Sequence, residues 1–209
     1  MIQHDQMTRI VLVRHGHVEG ISPERFRGRR DVDLSALGMR QAQVTARRIA
    51  QLWRPAAIYT SPLRRCVQTA EQISSACSLP LPGVLGELND VHYGDWEWRT
   101  YDEVHAQWPS LFDSWFRTPQ LVRFPNGESL QDLVARASNV LRLVRERHAE
   151  ETVVVVGHSS GNRALLLQTL DQPLSAYWRL GQDPCCVSEI EISESSTTVR
   201  RLNETYPFG

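Results

Sequence analysis

The stretch TVVVVGHSSG, residues 152–161, decides the fold class of this 209-residue chain. Its first five residues, 152–156, are all β-branched and lack polar alternation, which predicts a short strand covered on both faces. Similar runs stand at 9–13 (RIVLV) and 56–59 (AAIY). Because strands buried on both faces are typical of parallel sheets, the three runs predict one largely parallel sheet.

Amphipathic segments between these runs predict the helices that cover such a sheet. The helices are expected over residues 35–53, 62–77, 128–148 and, shorter, from about 161 to 170. Residues 187–192 and 197–202 alternate apolar and polar side chains, which is typical of a half-exposed hairpin or edge pair. The alternation of strand and helix predicts an α/β fold: a three-layer sandwich with a mostly parallel central sheet flanked by helices.

Length and composition fit a single domain that spans residues 1–209, with 41% apolar residues. Residues from about 94 to 125 are rich in aromatic side chains and proline, and they are expected to form a cap-like region over the site. The 23 basic and 24 acidic residues leave a net charge of −1, which gives no reason to expect binding to nucleic acid or to an anionic membrane. The oligomeric state stays open between a monomer and a homodimer.

The apolar runs are too short to span a bilayer. Residues 1–6 (MIQHDQ) have neither the basic nor the apolar region of a signal peptide. A cytoplasmic location is therefore expected.

Chemically active side chains follow each of the three predicted strands. The first strand runs into Arg14 and His15, the second into residues 61–65 (SPLRR), and the third into His158. Ligands bind at the carboxyl ends of the strands in open α/β sheets. Arginine and the amino termini of helices both bind phosphate oxygens, so the sequence predicts a pocket for a dianion at this edge.

Four ordered motifs resemble the histidine phosphatase superfamily, also called the phosphoglycerate mutase-like family. They are residues 14–16 (RHG), 61–65 (SPLRR), 90–97 (DVHYGDWE) and 157–158 (GH). The resemblance implies a phosphoglycerate mutase-like fold and a metal-independent phosphomonoesterase that needs no cofactor. Within the family, the chain looks most like α-ribazole phosphatases and broad-specificity phosphatases. The implied partner is a small phosphorylated metabolite, with α-ribazole phosphate as one candidate.

The resemblance also implies roles for single residues. His15 would be the nucleophile that forms a phosphohistidine. Arg14, Arg64 and His158 would surround the phosphoryl oxygens and neutralise their charge, with help from the backbone N–H of Ser159. These fixed cations would replace a metal ion, so no metal ligands are expected.

The general acid is expected at Asp90, where the family usually has glutamate, and Glu87 is the second choice. Arg27 and Arg29 are candidates for contact with further anionic groups of the substrate. Trp98 is a candidate for stacking on a planar base.

Parts of the sequence also fit three other activities. A phosphoglycerate mutase would transfer the phosphoryl group between metabolites. Residues 157–161 also fit the G-x-S-x-G motif of serine esterases, with Ser159 as nucleophile, although no histidine follows it as that family requires. His15 and His17 form the H-x-H of metal-dependent amidohydrolases, although the chain is short for their barrel.

Overall fold

The computed structural model describes residues 7–19, 24–193 and 195–207, so residues 1–6, on which the expected location rests, lie outside it. Its strands are β1 (Thr8–Arg14), β2 (Ala57–Thr60), β3 (Gly83–Val84), β4 (Thr152–Gly157), β5 (Val187–Ile192) and β6 (Thr197–Glu204). They form one sheet in the order β3-β2-β4-β1-β5-β6. The first four strands are parallel, and β5 and β6 are antiparallel. The predicted α/β fold with a mostly parallel sheet is confirmed.

The helices are α1 (Ala36–Leu52), α2 (Arg64–Cys77), α3 (Tyr101–Gln107), α4 (Pro109–Arg117), α5 (Leu130–Arg147) and α6 (Ser159–Thr169). Ser35 caps α1 by accepting a hydrogen bond from the Gly38 N–H, which is the usual role of serine at this position. Ser129 and Asp132 form a capping box at the start of α5. Helix α6 begins at Ser159, two residues earlier than expected, because the chain passes directly from β4 through a single residue into the helix.

Alternating side chains of the central strands enter two separate cores. Ile10 and Leu12 pack on the side of α5 and α6. Val11 and Val13 pack on the side of α1 and α2. The sheet is therefore the middle layer of three, which explains why its strand residues are apolar without alternation.

The register of the parallel strands brings their carboxyl ends to one edge. Arg14 pairs with Gly157, and Thr60 pairs with Val156. The pairing continues past the strands, since the His15 N–H donates to the Gly157 carbonyl at 3.0 Å and the Ser61 N–H donates to the Val156 carbonyl at 3.1 Å. The residues after the three strands are thus held close together by backbone hydrogen bonds.

The expectation that residues 187–192 are half exposed is wrong. All six residues of β5 are buried, because Ile190 and Ile192 enter the core on the α5 side, Val187 enters the core on the α1 side, and arginines cover the glutamates. Two glutamates of β5, Glu189 and Glu191, would otherwise be costly to bury. Arg9 pairs with both at 2.7 Å, and Arg201 pairs with Glu189 at 2.9 Å. The charges of Glu189 and Glu191 are therefore neutralised by arginines instead of being exposed to water.

The segment from about 94 to 125 consists of α3, α4 and short 3₁₀ turns, and it packs on the α5 side of the sheet. Its Trp96 is fully buried, with ring centroids 4.9 Å from Phe26 and 5.1 Å from Phe124. Gly94 has φ +56°, and a Cβ there would lie 1.9 Å from the Pro125 carbonyl oxygen, so only glycine fits this turn. In the described part of the chain, no helix is both long and apolar enough to cross a membrane.

Candidate active site

His15 stands directly after β1 with its ring fixed by the backbone. It is 4% exposed, and its Nδ1 lies 2.7 Å from the Gly16 carbonyl oxygen. Because a carbonyl oxygen only accepts, Nδ1 carries the proton and donates it, which leaves a lone pair on Nε2. Gly16 permits this geometry, since a Cβ there would lie 2.6 Å from the Gly38 carbonyl oxygen.

Two buried histidines face each other across the strand ends. The rings of His15 and His158 are 5.2 Å apart. Burial, together with the positive charges of Arg65 and Arg14, holds the pKa of both imidazoles well below its ordinary value. Both rings are therefore neutral at neutral pH, and the Nε2 lone pair of His15 is available for attack. His158 Nε2 lies 2.8 Å from the Ser61 hydroxyl.

Arg14, the last residue of β1, lines the cavity beside His15. One Nη donates to the carbonyl oxygen of Gln182. Its Nε is buried without a hydrogen-bond partner, and burial lowers the pKa of the guanidinium. Buried polar groups are nearly always paired, so an unpaired donor on a buried cation indicates a place for an anion.

The structure does not bring Arg64 into this group. Its side chain is 62% exposed and pairs with Asp33 at 2.8 Å. The next residue, Arg65, is fully buried and donates to Asp90 Oδ2 at 3.1 Å and to the Gly28 carbonyl at 2.8 Å. Successive residues of a helix point about 100° apart, so only one of these two arginines can face the sheet. The i, i+4 stripe of Arg65, Thr69 and Ile73 identifies the buried face of α2 from sequence.

Asp90 lies at the wall of the same cavity and is 9% exposed. Its Oδ1 accepts hydrogen bonds from the Ser160 hydroxyl and, at 3.0 Å, from the Val91 N–H. Its Oδ2 lies 3.5 Å from His158 Nδ1, besides the contact with Arg65. Glu87, the second choice for the acid, is exposed on a 3₁₀ turn and is not part of this wall.

The cavity has a volume of about 240 Å³. We call the part of its wall around His15 the inner end, which comprises Arg14, His15, Asp90 and Ser159, and we call the group Phe26, Arg27, Tyr101, Arg163 and Trp178 the outer end. Of the residues predicted to contact substrate, Arg14, Ser159 and Arg27 therefore lie on the wall.

The other predicted contacts lie outside the cavity wall: exposed Arg64, buried His158, Arg29 and Trp98. Arg29 pairs with Glu128 at 2.7 Å and donates to the Asp90 carbonyl at 3.3 Å. The indole of Trp98 is occupied by two guanidinium groups, those of Arg30 at 4.5 Å and Arg25 at 5.7 Å from the ring centroid. Both side chains thus have protein partners instead of facing the ligand space.

Sequence reasoning missed Arg65 and Arg163. Arg163 lies on α6 at i+4 from Ser159, so the two residues share one helix face. Placing the start of α6 at Gly161 hid this relation, because Ser159 then stood outside the helix. Tyr93, Tyr177 and Trp178 also line the cavity, and their aromatic character gave no signal that distinguishes a wall from a core.

The H-x-H pair does not form a metal site in the structure, since His17 Nδ1 is directed to the Ser35 hydroxyl at 2.7 Å. Within residues 7–19, 24–193 and 195–207, no group of three or more His, Cys, Asp and Glu side chains is arranged to hold a metal ion.

Comparisons with known proteins identify the family of the chain. The family model of the histidine phosphatase superfamily (branch 1) matches residues 10–205. Phosphoserine phosphatase 1 of Hydrogenobacter thermophilus is 34% identical over 97% of this chain and 95% of its own length. A metal-independent phosphoserine phosphatase of Arabidopsis thaliana is 31% identical over 78% of this chain and 69% of its own.

A solved structure shows the same fold. The crystal structure of a putative α-ribazole-5′-P phosphatase from Escherichia coli aligns with a TM-score of 0.84 and 27% identity, covering 94% of this chain and 96% of that one. The matched region includes Arg14, His15, Arg65, Asp90 and His158. The chain therefore belongs to branch 1 of the histidine phosphatase superfamily and is a phosphoric monoester hydrolase.

Proposed function

We propose that the enzyme hydrolyses a small phosphomonoester without a metal ion, through a phosphohistidine at His15. The observation that carries this proposal is the pairing of His15 Nδ1 with the Gly16 carbonyl oxygen at 2.7 Å, which leaves the Nε2 lone pair for the cavity. Arg14, with its unpaired Nε, stands beside it as the partner for a phosphoryl oxygen.

In the first step, Nε2 of His15 forms a bond to phosphorus while the bond from phosphorus to the ester oxygen breaks. The departing alkoxide takes a proton from Asp90. Arg14 provides positive charge at the phosphoryl oxygens, whereas Arg65 lies behind the wall, where it holds Asp90 and adds a second fixed positive charge. His158 lies beside His15 and Asp90 and helps to fix their positions. Because these groups are positioned before substrate binds, little reorganisation is needed as charge develops.

In the second step, a water molecule attacks phosphorus and gives its proton to the Asp90 carboxylate. The bond between phosphorus and nitrogen breaks, and its electron pair returns to Nε2 of His15. Inorganic phosphate leaves, and Asp90 is protonated again for the next cycle. The arginines supply the charge that Mg²⁺ supplies in other phosphoryl-transfer enzymes.

The size of the cavity favours a small substrate. Its 240 Å³ lies below the range of about 300–1,000 Å³ in which drug-sized ligands are enclosed. The base of α-ribazole phosphate would extend past the outer end, and Trp98 is already stacked on Arg30 and Arg25. These observations favour phosphorylated metabolites of a few carbon atoms, such as the phosphoserine for which two relatives are named, over a nucleotide-like ester.

Phosphate release from p-nitrophenyl phosphate in excess chelator tests the proposed function. We expect turnover to survive the chelator and to fall more than about 10⁴-fold in His15→Ala, because the nucleophile is lost. His17→Ala is the matched control, since His17 faces Ser35 and stands outside the cavity wall. A rapid quench should trap an acid-labile phosphohistidine.

Turnover that the chelator removes, or that His15→Ala retains, would contradict the proposal. With natural esters, formation of a second phosphate ester without release of inorganic phosphate would indicate a mutase instead.

A further inference from the structure

Arg163 is a cation at the outer end of the cavity that the reaction at phosphorus does not require. Its Nε donates to the Leu180 carbonyl at 2.8 Å. Its guanidinium lies 5.3 Å from the ring centroid of Tyr177 and 5.0 Å from that of Trp178. These contacts are all to neutral groups, and they hold the charge in one place at the cavity wall.

Arg163 differs from most other arginines near the site in having no acidic partner. Arg29 pairs with Glu128, and Arg65 pairs with Asp90. In the described ranges, no carboxylate lies within 4.0 Å of the Arg163 guanidinium. A half-buried guanidinium fixed by neutral neighbours is well suited to pair with an anionic group that arrives with a ligand.

The surroundings of Tyr101 show which charges share this end of the cavity. Burial and the carboxylate of Glu24 raise the pKa of the Tyr101 hydroxyl, and Arg27 and Arg163 oppose that shift. Glu24 also lines the cavity. The outer end therefore combines fixed positive charge with one negative charge.

This mixture favours a carboxylate over a second phosphate group as the partner of Arg163. A carboxylate carries a single charge and matches the fork of a guanidinium with two parallel hydrogen bonds. A second phosphate dianion would face Glu24 as well as the first phosphate within about 240 Å³. An ammonium group beside the carboxylate would be attracted to Glu24.

We propose that Arg163 is a specificity residue that binds a carboxylate on the alcohol half of the substrate. The preferred substrates are then phosphorylated hydroxy acids and hydroxy amino acids rather than phosphorylated amines or polyols. This inference rests on the proposed function, because it assigns the substrate class of the same cavity.

The test compares two esters that differ by one carboxylate, O-phosphoserine and phosphoethanolamine. We expect kcat/KM to be about 10- to 100-fold higher for O-phosphoserine, the range for one charged hydrogen-bonding contact. In Arg163→Met this ratio should fall about tenfold or more, and Arg163→Lys should retain part of it. The ratio of kcat/KM for 3-phosphoglycerate to that for glycerol 1-phosphate should change in the same way in these variants. Arg142→Met, at an exposed position paired with Glu146, is the control.

A ratio near one in the wild-type enzyme would overturn the inference, and so would a ratio that Arg163→Met leaves unchanged. Binding to His15→Ala, measured by calorimetry, separates this failure from failure of the proposed function. If p-nitrophenyl phosphate is not hydrolysed, the proposed function fails. The ratio of the dissociation constants of O-phosphoserine and phosphoethanolamine for His15→Ala then still measures the preference for the carboxylate. We expect the preference in His15→Ala and its loss in His15→Ala/Arg163→Met; equal dissociation constants for the two esters in His15→Ala would again overturn the inference.

Discussion

The two ends of the cavity are built in different ways. At the inner end, His15 follows β1 and its N–H extends the parallel ladder to β4 by donating to the Gly157 carbonyl at 3.0 Å. At the outer end, Arg27 and Tyr101 belong to two segments outside the sheet that are joined by backbone hydrogen bonds, including Phe26 N–H to the Arg99 carbonyl at 3.0 Å, and Arg163 comes from α6. A rigid sheet edge suits the phosphoryl chemistry, whereas loops and helix faces can change without disturbing it. The proposed function and the inference about Arg163 therefore assign reaction and selectivity to separate parts of one cavity.

The largest effect that would sharpen this comparison is expected at Asp90. Asp90→Asn should slow hydrolysis of O-phosphoserine by about 10²- to 10⁴-fold, because the leaving alkoxide then lacks its proton donor. The loss should be smaller for p-nitrophenyl phosphate, whose leaving group needs less help. Glu87→Gln, at the exposed alternative position, is the matched control. If Asp90→Asn hydrolysed O-phosphoserine at the wild-type rate, Asp90 would not be the general acid.

The adjacent arginines of α2 provide the next test. Arg65→Met should lower kcat by about 10²- to 10³-fold, because Asp90 loses the arginine that holds it and the site loses one fixed positive charge. Arg64→Met should change kcat less than about threefold, because its exposed side chain pairs only with Asp33. Steady-state kinetics measure both, and Arg65→Lys keeps the buried charge if Arg65→Met fails to fold. An equal loss of kcat in Arg65→Met and Arg64→Met would contradict this prediction, because it would show that only the total charge of the first turn of α2 matters.

The smallest expected effect is on the pH dependence of the free energy of unfolding, to which the buried His15 and His158 contribute. The folded pKa values of His15 and His158 lie well below the ordinary value of about 6.5 that applies to the unfolded chain. Below that pH the unfolded chain binds more protons than the folded one, so the free energy of unfolding decreases as pH falls from 6.5 towards the folded pKa values. His15→Gln should reduce this slope by up to about 1.4 kcal/mol per pH unit. Urea unfolding over a pH series measures it, and an unchanged slope would contradict the assignment.

Most of the fold could be predicted from the sequence because its signals are local. The apolar runs and capping serines define strands and helices without knowledge of the rest of the chain. The error at β5 has a different origin, since the burial of Glu189 and Glu191 depends on Arg9 at the other end of the sequence. Patterns of polarity do not show such ion pairs.

The inner end of the site could also be predicted in large part. The structure brings Arg14, His15 and His158 together because they stand at the carboxyl ends of neighbouring parallel strands. Asp90 follows a 3₁₀ turn instead, and its prediction rests on the resemblance of residues 90–97 to the family motif. The choice of Arg64 rests on the resemblance of residues 61–65 to the family motif, which does not distinguish the two adjacent arginines. The rotation of α2 about its axis distinguishes them, because it buries Arg65 and exposes Arg64. Arg163 could not be placed until the start of α6 was known. The composition of the outer end depends on tertiary packing that one sequence does not reveal.

The order of the strands has a consequence for how the enzyme is made. Strand β4 lies between β2 and β1 in the sheet, although it is synthesised long after both. The first two strands therefore leave the ribosome without the neighbour that joins them, and neither histidine can meet the other until β4 inserts. Closing such distant pairings is a slow event in folding. The catalytic centre is thus among the last parts of the molecule to exist, and a chain that ends before β4 has none.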